Sequence, residues 1–213
     1  MPVRKIPLGR RSITGAYSSV KMDRLVYHES TLERDFIYLL EFDSNVDRYE
    51  EQPMAVQYYA GRRLITHVPD FKVRYHTADK QRSTVIFQVK YRDDLLTNWK
   101  KYHPALRATK RFARDHGWEA RIVTDREIRI PRLQNVKRLL PFRLHLIDED
   151  EASLCTELLR PSPLALKALL SFLQEHGKEP AAMLPTIYSL IVGQRISIDL
   201  DVPLAPQTIL TLP

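Results

Sequence analysis

Residues 67–91, HVPDFKVRYHTADKQRSTVIFQVKY, decide the fold of the N-terminal part of this chain. They predict two strands joined by a polar hairpin loop, because two apolar-rich runs flank a cluster of polar, turn-forming residues. Side chains alternate between the two faces of a strand. The alternation puts Asp70 on one face of the first strand, and Gln88 and Lys90 together on one face of the second. If the two strands are neighbours, these three side chains converge on one side of the sheet.

Glu33 is a candidate fourth member of this cluster. The segment Ser30-Thr31-Leu32-Glu33 has the S-x-x-E form of a capping box and predicts a helix that begins there and ends near 42–45. Its predicted apolar stripe contains Leu32, Phe36, Leu39 and Leu40, with Ile37 on the flank. Glu33 lies within this apolar arc, so its carboxylate points toward the surface on which the helix packs. If that surface is the sheet face bearing Asp70, two carboxylates, an amide and an ammonium group meet in one pocket.

These residue types suit a divalent metal. Mg²⁺ prefers oxygen ligands, and Glu33, Asp70, the Gln88 carbonyl and the Val89 backbone carbonyl are all oxygen donors. A bound metal can activate a water and offset charge on a phosphodiester, while Lys90 orients the water or stabilises the developing charge. A zinc site fits poorly, because the chain has no HExxH spacing and only one cysteine, Cys155.

Each of these residues also has a purely structural interpretation. Glu33 alone could serve only as a helix cap, Asp70 after Pro69 as a turn residue, and Lys90 as a solvated charge at a strand end. Gln88 is harder to explain in that way, because an amide buried among Ile86, Phe87 and Val89 needs polar partners.

The surrounding segments predict an α/β domain. Strands are expected at 56–59, 64–75, 84–91 and 120–125, and a helix at 104–116, with Pro104 in its first turn and Gly117 ending it. Four cations recur on this helix and could bind phosphate or simply face solvent: Arg107, Lys110, Arg111 and Arg114. Residues 1–20 predict an extended basic arm, either a solvated tail or a DNA contact through Arg4, Arg10 and Arg11.

The C-terminal part has a different pattern. An acidic break at 148–151 precedes a leucine-faced helix at 163–176, a second helix, a turn at Gly193-Gln194, and an alternating strand over 196–200. This order is compatible with a small winged-helix-like domain that contacts DNA or docks proteins. The predicted division is therefore an arm at 1–20, an α/β domain at 21–140 and a small domain at 141–213.

Bulk composition is that of a soluble globular protein. The net charge is +7 and the pI about 9.5, which favours a polyanionic partner such as nucleic acid. The single cysteine suits a reducing compartment, no apolar run approaches membrane-spanning length, and the basic N-terminus lacks a signal-peptide core. We therefore expect a cytoplasmic protein with no membrane partner.

The order Glu, Pro-Asp, Gln-x-Lys resembles the PD-(D/E)XK nuclease superfamily. Five segments together resemble the N-terminal domain of the TnsA endonucleases, subunits of heteromeric cut-and-paste, Tn-seven-like transposases: SITGAYSS (12–19), ESTLERDFIYLLEFDSNVDRYEEQP (29–53), HVPDF (67–71), FQVKY (87–91) and VTDREIR (123–129). The resemblance implies a restriction-endonuclease-like fold with a central mixed sheet flanked by helices, plus the small C-terminal domain.

The resemblance also implies a function. TnsA proteins cut the non-transferred strand near the 5′ ends of the transposon, and a TnsB transposase cuts and joins the 3′ ends. The family's catalytic set falls here on Glu33, Asp70, Gln88 and Lys90, with Mg²⁺ as cofactor and Mn²⁺ as a substitute. Implied partners are double-stranded transposon-end DNA, a TnsB-type transposase and a TnsC-type AAA+ ATPase regulator, in a bacterial, nucleoid-associated setting.

Two other functions remain open at the level of sequence. The first is a stand-alone restriction or repair nuclease of the same superfamily, with 131–213 recognising DNA sequence. The second is a non-catalytic DNA-binding subunit that has kept the nuclease fold. The intact Glu, Asp, Gln and Lys argue against the second.

Overall fold

A computed structural model describes residues 14–76 and 83–213. These residues form two compact units, one ending at Arg129 and the other beginning at Ile130. The predicted boundary at 140/141 lies further along the chain, and the assignment of domains to functions stays a prediction. Arg4, Arg10 and Arg11, and most of the predicted loop at 76–83, lie outside the described residues.

The described residues of the first unit form twelve elements. In chain order they are β1 (Gly15–Ser19), β2 (Arg24–His28), α1 (Thr31–Phe42), β3 (Val46–Glu51), β4 (Val56–Ala60), β5 (Arg63–His67), β6 (Phe71–Tyr75), β7 (Ser83–Lys90), α2 (Arg92–Thr97), α3 (Trp99–Asp115), β8 (Glu119–Thr124) and α4 (Asp125–Ile128).

A mixed four-stranded sheet organises this unit, with the strand order β3-β6-β7-β8. The pairs β3–β6 and β6–β7 are antiparallel, whereas β7–β8 is parallel. The parallel pair needs a long crossover, which α2 and α3 provide. This confirms the predicted α/β class with a central mixed sheet flanked by helices.

The α1 helix packs on the face of the sheet that carries Phe71 and Phe87. Its Phe36 ring lies 5.5 Å from Phe71 and 5.1 Å from Phe87, centroid to centroid. Leu32, Phe36 and Leu40 of the predicted stripe are buried, and so is Ile37, which was predicted on its flank. Leu39, predicted within the stripe, is only half-buried. Burial of these side chains is the main contribution that holds the helix to the sheet.

The segment predicted as one strand over 64–75 is divided in two. β5 pairs with β4 in a separate hairpin, and β6 pairs with β3 and β7 in the main sheet. Pro69 lies between β5 and β6, and a proline cannot donate to a strand ladder, so the chain changes partners there. The prediction also missed β3, which is the edge strand next to β6.

Two other predicted boundaries were wrong. Residues 15–19, assigned to the basic arm, form β1 and pair with β2. The helix predicted at 104–116 begins earlier, at Trp99, with Pro104 inside it. The turns before Pro104 are held by Asp94, which accepts hydrogen bonds from Asn98 Nδ2 and Tyr102 Oη, both at 2.8 Å.

The second unit is mainly helical. It contains α5 (Pro131–Leu139), a 3₁₀ turn (Leu140–Leu144), α6 (Glu149–Leu159), β9 (Leu164–Ala165), α7 (Leu166–Glu175), α8 (Pro180–Val192) and β10 (Ile209–Leu210). The acidic segment at 148–151 is not a break but the start of α6. Asp148 caps that helix and Glu149, Asp150 and Glu151 occupy its first turn, where the helix dipole favours negative charge.

The strand predicted over 196–200 does not form. Only an isolated bridge joins Ser197 to Thr211, and the short antiparallel pair in this unit is β9–β10. The buried Asn135 side chain binds the backbone here instead: it donates to the carbonyls of Leu200 and Val202 and accepts from the Leu204 N–H. The winged-helix character of the unit therefore stays a prediction.

Among all described residues, no helix has both the length and the apolar character needed to cross a bilayer.

Candidate active site

Asp70 lies directly before β6, opposite the carboxyl end of β7. The register pairs Phe71 with Phe87, which brings Asp70 beside Gln88. Asp70 Oδ2 accepts hydrogen bonds from the Val89 backbone N–H, at 2.6 Å, and from Gln88 Nε2. Its own carbonyl accepts from the Gln52 N–H at 2.8 Å. Both the backbone and the carboxylate of Asp70 are therefore fixed by neighbouring strands.

Gln88 and Lys90 lie on the same face of β7, as predicted. Gln88 is only 4% exposed. Lys90 Nζ lies 3.8 Å from Asp70 Oδ2 and 5.9 Å from the ring centroid of Tyr102. The pocket thus contains a buried amide that interacts with the His67 imidazole, next to a carboxylate and an ammonium group.

Glu33 reaches the same region from the start of α1. The helix packs on the opposite face of the sheet from Gln88, so the expected meeting of all four side chains on one face is wrong in detail. Glu33 nevertheless lies close enough for the charges of Asp70 and Lys90 to shift its pKa. It therefore approaches Asp70 from the α1 side.

Glu33 also has the capping role. Ser30 Oγ accepts from the Glu33 N–H at 3.1 Å, and Glu33 Oε1 accepts from Ser30 Oγ at 3.0 Å. Glu33 Oε2 accepts from the Glu29 N–H at 2.7 Å, one residue before the usual capping-box donor. The cap interpretation and the site interpretation are both compatible with this geometry.

The two carboxylates both resist ionisation. Burial, and after it the negative charge of Asp70, raise the pKa of Glu33 to about 7, against the opposing effect of its hydrogen bonds and of Lys90. Burial also raises the pKa of Asp70, against the lowering effects of Lys90, the Val89 N–H and the Gln88 amide. Burial is the main cause of both shifts, and a bound cation would favour the ionised forms of both carboxylates.

The donor set fits a hard cation such as Mg²⁺. Glu33 and Asp70 supply carboxylates, and Gln88 Oε1 is a buried acceptor. The Val89 N–H points to Asp70, and because the N–H and C=O of one strand residue point to the same side, its carbonyl faces the same region. Among the described residues, no group of three or more His, Cys, Asp or Glu side chains could hold a metal, so the site does not resemble a zinc centre.

The prediction missed His67 and Tyr102. Together with Asp70, Gln88 and Lys90 they line a cavity of about 240 Å³. Burial lowers the pKa of the His67 imidazole, against the opposing effect of its interaction with the Gln88 side chain. His67 is the last residue of β5, so its position depends on the change of strand partner at Pro69, which alternation alone cannot predict.

A polar network supports the start of α1. Arg129 Nε donates to the buried Asp35 at 3.0 Å, and its Nη2 lies 3.1 Å from Thr31 Oγ1 and 3.2 Å from Tyr91 Oη. Thr31 and Tyr91 share a hydrogen bond of 3.2 Å. This network joins the α1 turn that holds Glu33 to the residue that follows Lys90.

The four basic residues of α3 are not part of the acidic pocket. Arg107, Lys110, Arg111 and Arg114 are exposed and line a different, larger groove. Their predicted role in binding DNA stays a prediction.

One comparison with known families identifies part of this chain. Residues 43–125 match the family model described as "TnsA-like endonuclease N terminal". The matched range contains Asp70, Gln88 and Lys90, whereas Glu33 and the second unit lie outside it. Among curated proteins, none matches the chain.

Proposed function

This chain carries a TnsA-like endonuclease N-terminal domain, and we propose that it is the metal-dependent DNA endonuclease subunit of a Tn-seven-like transposase. In this proposal it hydrolyses a phosphodiester of the non-transferred strand near each 5′ end of the transposon. Its substrate is double-stranded transposon-end DNA. Its partners are a TnsB-type transposase and a TnsC-type AAA+ ATPase.

The observation that carries this proposal is that Asp70, Gln88 and Lys90 line one cavity within the range that matches the TnsA-like domain, with Glu33 approaching from the α1 side. Carboxylates with raised pKa values beside a buried amide and an ammonium group are costly to bury without a function. Functional sites are where such costs are found.

The proposed roles follow from the contacts. Glu33, Asp70, Gln88 Oε1 and the Val89 carbonyl would hold Mg²⁺, which when bound supplies positive charge at the scissile phosphate and lowers the pKa of a bound water. The Val89 N–H and the Gln88 amide fix the Asp70 carboxylate in one orientation. Lys90, beside Asp70, can donate to the attacking water or to a non-bridging phosphate oxygen.

Strand-specific cleavage of an end-labelled transposon end tests the proposal. The duplex is incubated with the full chain, with and without the neighbouring transposase, in Mg²⁺, in Mn²⁺ and in excess chelator. We expect cutting of the non-transferred strand only with metal, and none with Asp70→Ala. Asp93→Ala, an exposed aspartate on α2, is the matched control and should cut like the wild type.

Three results would contradict parts of the proposed function. Full activity in chelator would contradict metal dependence, and full activity of a folded Asp70→Ala variant would contradict the site. Site-specific double-strand cutting by the isolated chain on DNA without transposon ends would favour the stand-alone nuclease.

A further inference from the structure

A second, larger cavity lies beside the candidate active site, bounded by β4, α3 and the start of β8. Its volume is about 1220 Å³, roughly five times that of the acidic pocket. The walls combine two classes of side chain: cations on α3, among them Arg107, Lys110 and Arg111, and aromatic rings on both sides, among them Tyr59, Phe112 and Trp118. We call this cavity the aromatic groove.

The positive charge of the aromatic groove is not neutralised from within. Arg107, Lys110 and Arg111 are exposed and form no ion pair with any residue of the described ranges. The two acidic residues of the lining are already engaged: Asp115 lies 3.9 Å from Arg114, and Glu119 lies 2.6 Å from Arg121. The groove therefore favours an anionic ligand.

The aromatic rings are presented in two different ways. Tyr59 on β4 is 74% exposed. Across the groove, Phe112 stacks on His116 at 4.2 Å, and His116 lies 4.9 Å from Trp118. Lys72 Nζ sits 4.4 Å from the centre of the Trp118 ring. Phe112 and Trp118 are thus held by neighbouring side chains, whereas the Tyr59 ring is open to a ligand.

We propose that the aromatic groove binds an unpaired DNA strand, with phosphates on Arg107, Lys110 and Arg111 and a base stacked on the open Tyr59 ring. Cations together with stacking platforms are the combination by which proteins hold single strands. In an intact duplex the base faces are covered by their neighbours, so the aromatic residues would add nothing to binding.

The proposal rests on the proposed nuclease function and specifies its substrate further. Tyr102, Ala105 and Leu106 of α3 line the acidic pocket, and Pro104, Arg107 and Ala108 of the same helix line the aromatic groove. A strand that leaves the acidic pocket along α3 therefore reaches the groove directly. The inferred substrate is a duplex end in which the strand beside the cut is locally unpaired.

Binding measured without metal tests the groove separately from cleavage. Fluorescence anisotropy in excess chelator compares a labelled oligo-dT of about 15 nucleotides with a duplex of equal length. Tyr59→Ala should weaken single-strand binding about tenfold and change duplex binding less than twofold, because only the unpaired strand offers bases for stacking. Tyr27→Ala, another exposed tyrosine outside the groove, is the matched control and should change neither.

Two further measurements report on the walls of the groove. Neutralising Arg107 and Lys110 to Gln should weaken the binding of both ligands and reduce the salt slope for the single strand by about 1.4. Arg48→Gln, which removes an exposed arginine of β3, should change the affinity for neither ligand more than twofold. Trp99 and Trp118 are the two tryptophans of the chain. In a Trp99→Phe background, oligo-dT should quench the remaining fluorescence of Trp118, and the duplex should not.

Several results would overturn the inference. The first is an unchanged affinity of Tyr59→Ala for oligo-dT, and the second is an equal loss of affinity of this variant for duplex and single strand. The third is Tyr59-dependent binding of polyglutamate that is tighter than the binding of oligo-dT. The last result would assign the groove to an acidic protein segment. If the chain binds single strands through Tyr59 but never cuts DNA, the inference about the groove stands and the proposed nuclease function is wrong. If the chain cuts DNA with metal but shows no Tyr59-dependent binding, the nuclease function stands and the inference about the groove is wrong.

Discussion

Glu33 is both a helix-capping residue and a member of the candidate site. Burial and the Asp70 carboxylate raise its pKa to about 7 from the ordinary value of 4.5. The folded state therefore holds the Glu33 proton more tightly than the unfolded chain does. By linkage, stability falls as the pH rises from about 4.5 to about 7, and the full destabilisation is present above that range.

Glu33→Gln separates the two roles of this residue. Glutamine also serves in a capping box, so the fold should survive, while the loss of the carboxylate should abolish Mg²⁺-dependent nicking. In chelator at pH 8 the variant should melt a few degrees above the wild type, because it no longer buries a charge. At pH 4.5 the difference should be much smaller. Thermal denaturation at the two pH values and strand-specific cleavage measure both effects.

The chain contains a matched control for this substitution. Glu127 completes the capping box of α4, where its Oε2 accepts from the N–H and Oγ of Thr124, both at 2.9 Å. Glu127→Gln makes the same chemical change in a capping box outside the acidic pocket, and should leave nicking intact. Unchanged nicking by Glu33→Gln would reduce Glu33 to a cap alone.

Much of the site geometry follows from local rules in the sequence. Strand alternation and the hairpin register are sufficient to predict that Asp70, Gln88 and Lys90 meet, because both are set within 25 consecutive residues. The sheet face on which α1 packs is set by tertiary contacts, those of Phe36 with Phe71 and Phe87. The position of His67 is likewise set by the pairing of β5 with β4, which no local pattern specifies.

At the scale of elements, the network around Arg129 connects α1, α4 and the end of β7. Asp35 is buried, and Arg129 is its closest ion-pair partner, at 3.0 Å, whereas Arg34 lies 4.0 Å away. Because Arg129 also contacts Thr31 and Tyr91, it fixes the first turn of α1 relative to the strand that carries Lys90. We interpret Arg129 as a positioning residue for Glu33.

Arg129→Gln should lower the free energy of unfolding by about 1 to 2 kcal/mol, because it removes a 3.0 Å partner of a buried carboxylate while the guanidinium itself is partly exposed. The double variant Asp35→Asn/Arg129→Gln should recover part of this loss, since no buried charge is then left. Denaturant unfolding of the wild type and of the single and double variants measures this coupling. Equal stability of the single and double variants would show that Asp35 does not depend on Arg129.

Several element boundaries were predicted wrongly, for physical reasons. A strand can change its partner at a proline without any change in its apolar pattern, as the chain does between β5 and β6. An acidic run is a sign of a loop and equally of a helix N-terminus, and here Asp148 caps α6. The alternating segment 196–200 forms no strand, because the Asn135 side chain takes up backbone groups of Leu200, Val202 and Leu204.

At the scale of the whole molecule, the net charge of +7 favours DNA binding without specifying a sequence. A transposon-end nuclease must nevertheless cut at one place and spare other DNA. Under the proposed function, site selection would therefore come from partners. The end of the 3₁₀ turn and the residues just after it in the second unit offer them an apolar surface, since Leu144 is 76% and Leu146 is 92% exposed.

We expect the isolated chain to cut transposon ends weakly and the transposase to stimulate it at least tenfold. If Leu144 and Leu146 contact a partner, their joint replacement by Ser should remove this stimulation and leave weak metal-dependent nicking unchanged, because neither residue belongs to the acidic pocket. Val202→Ser, at a 55% exposed valine of the same unit, is the control and should be stimulated normally. Cleavage of labelled ends is followed with and without the transposase. Normal stimulation of the double variant would exclude this segment as the contact, and robust site-specific cutting by the chain alone would show that site selection resides within it.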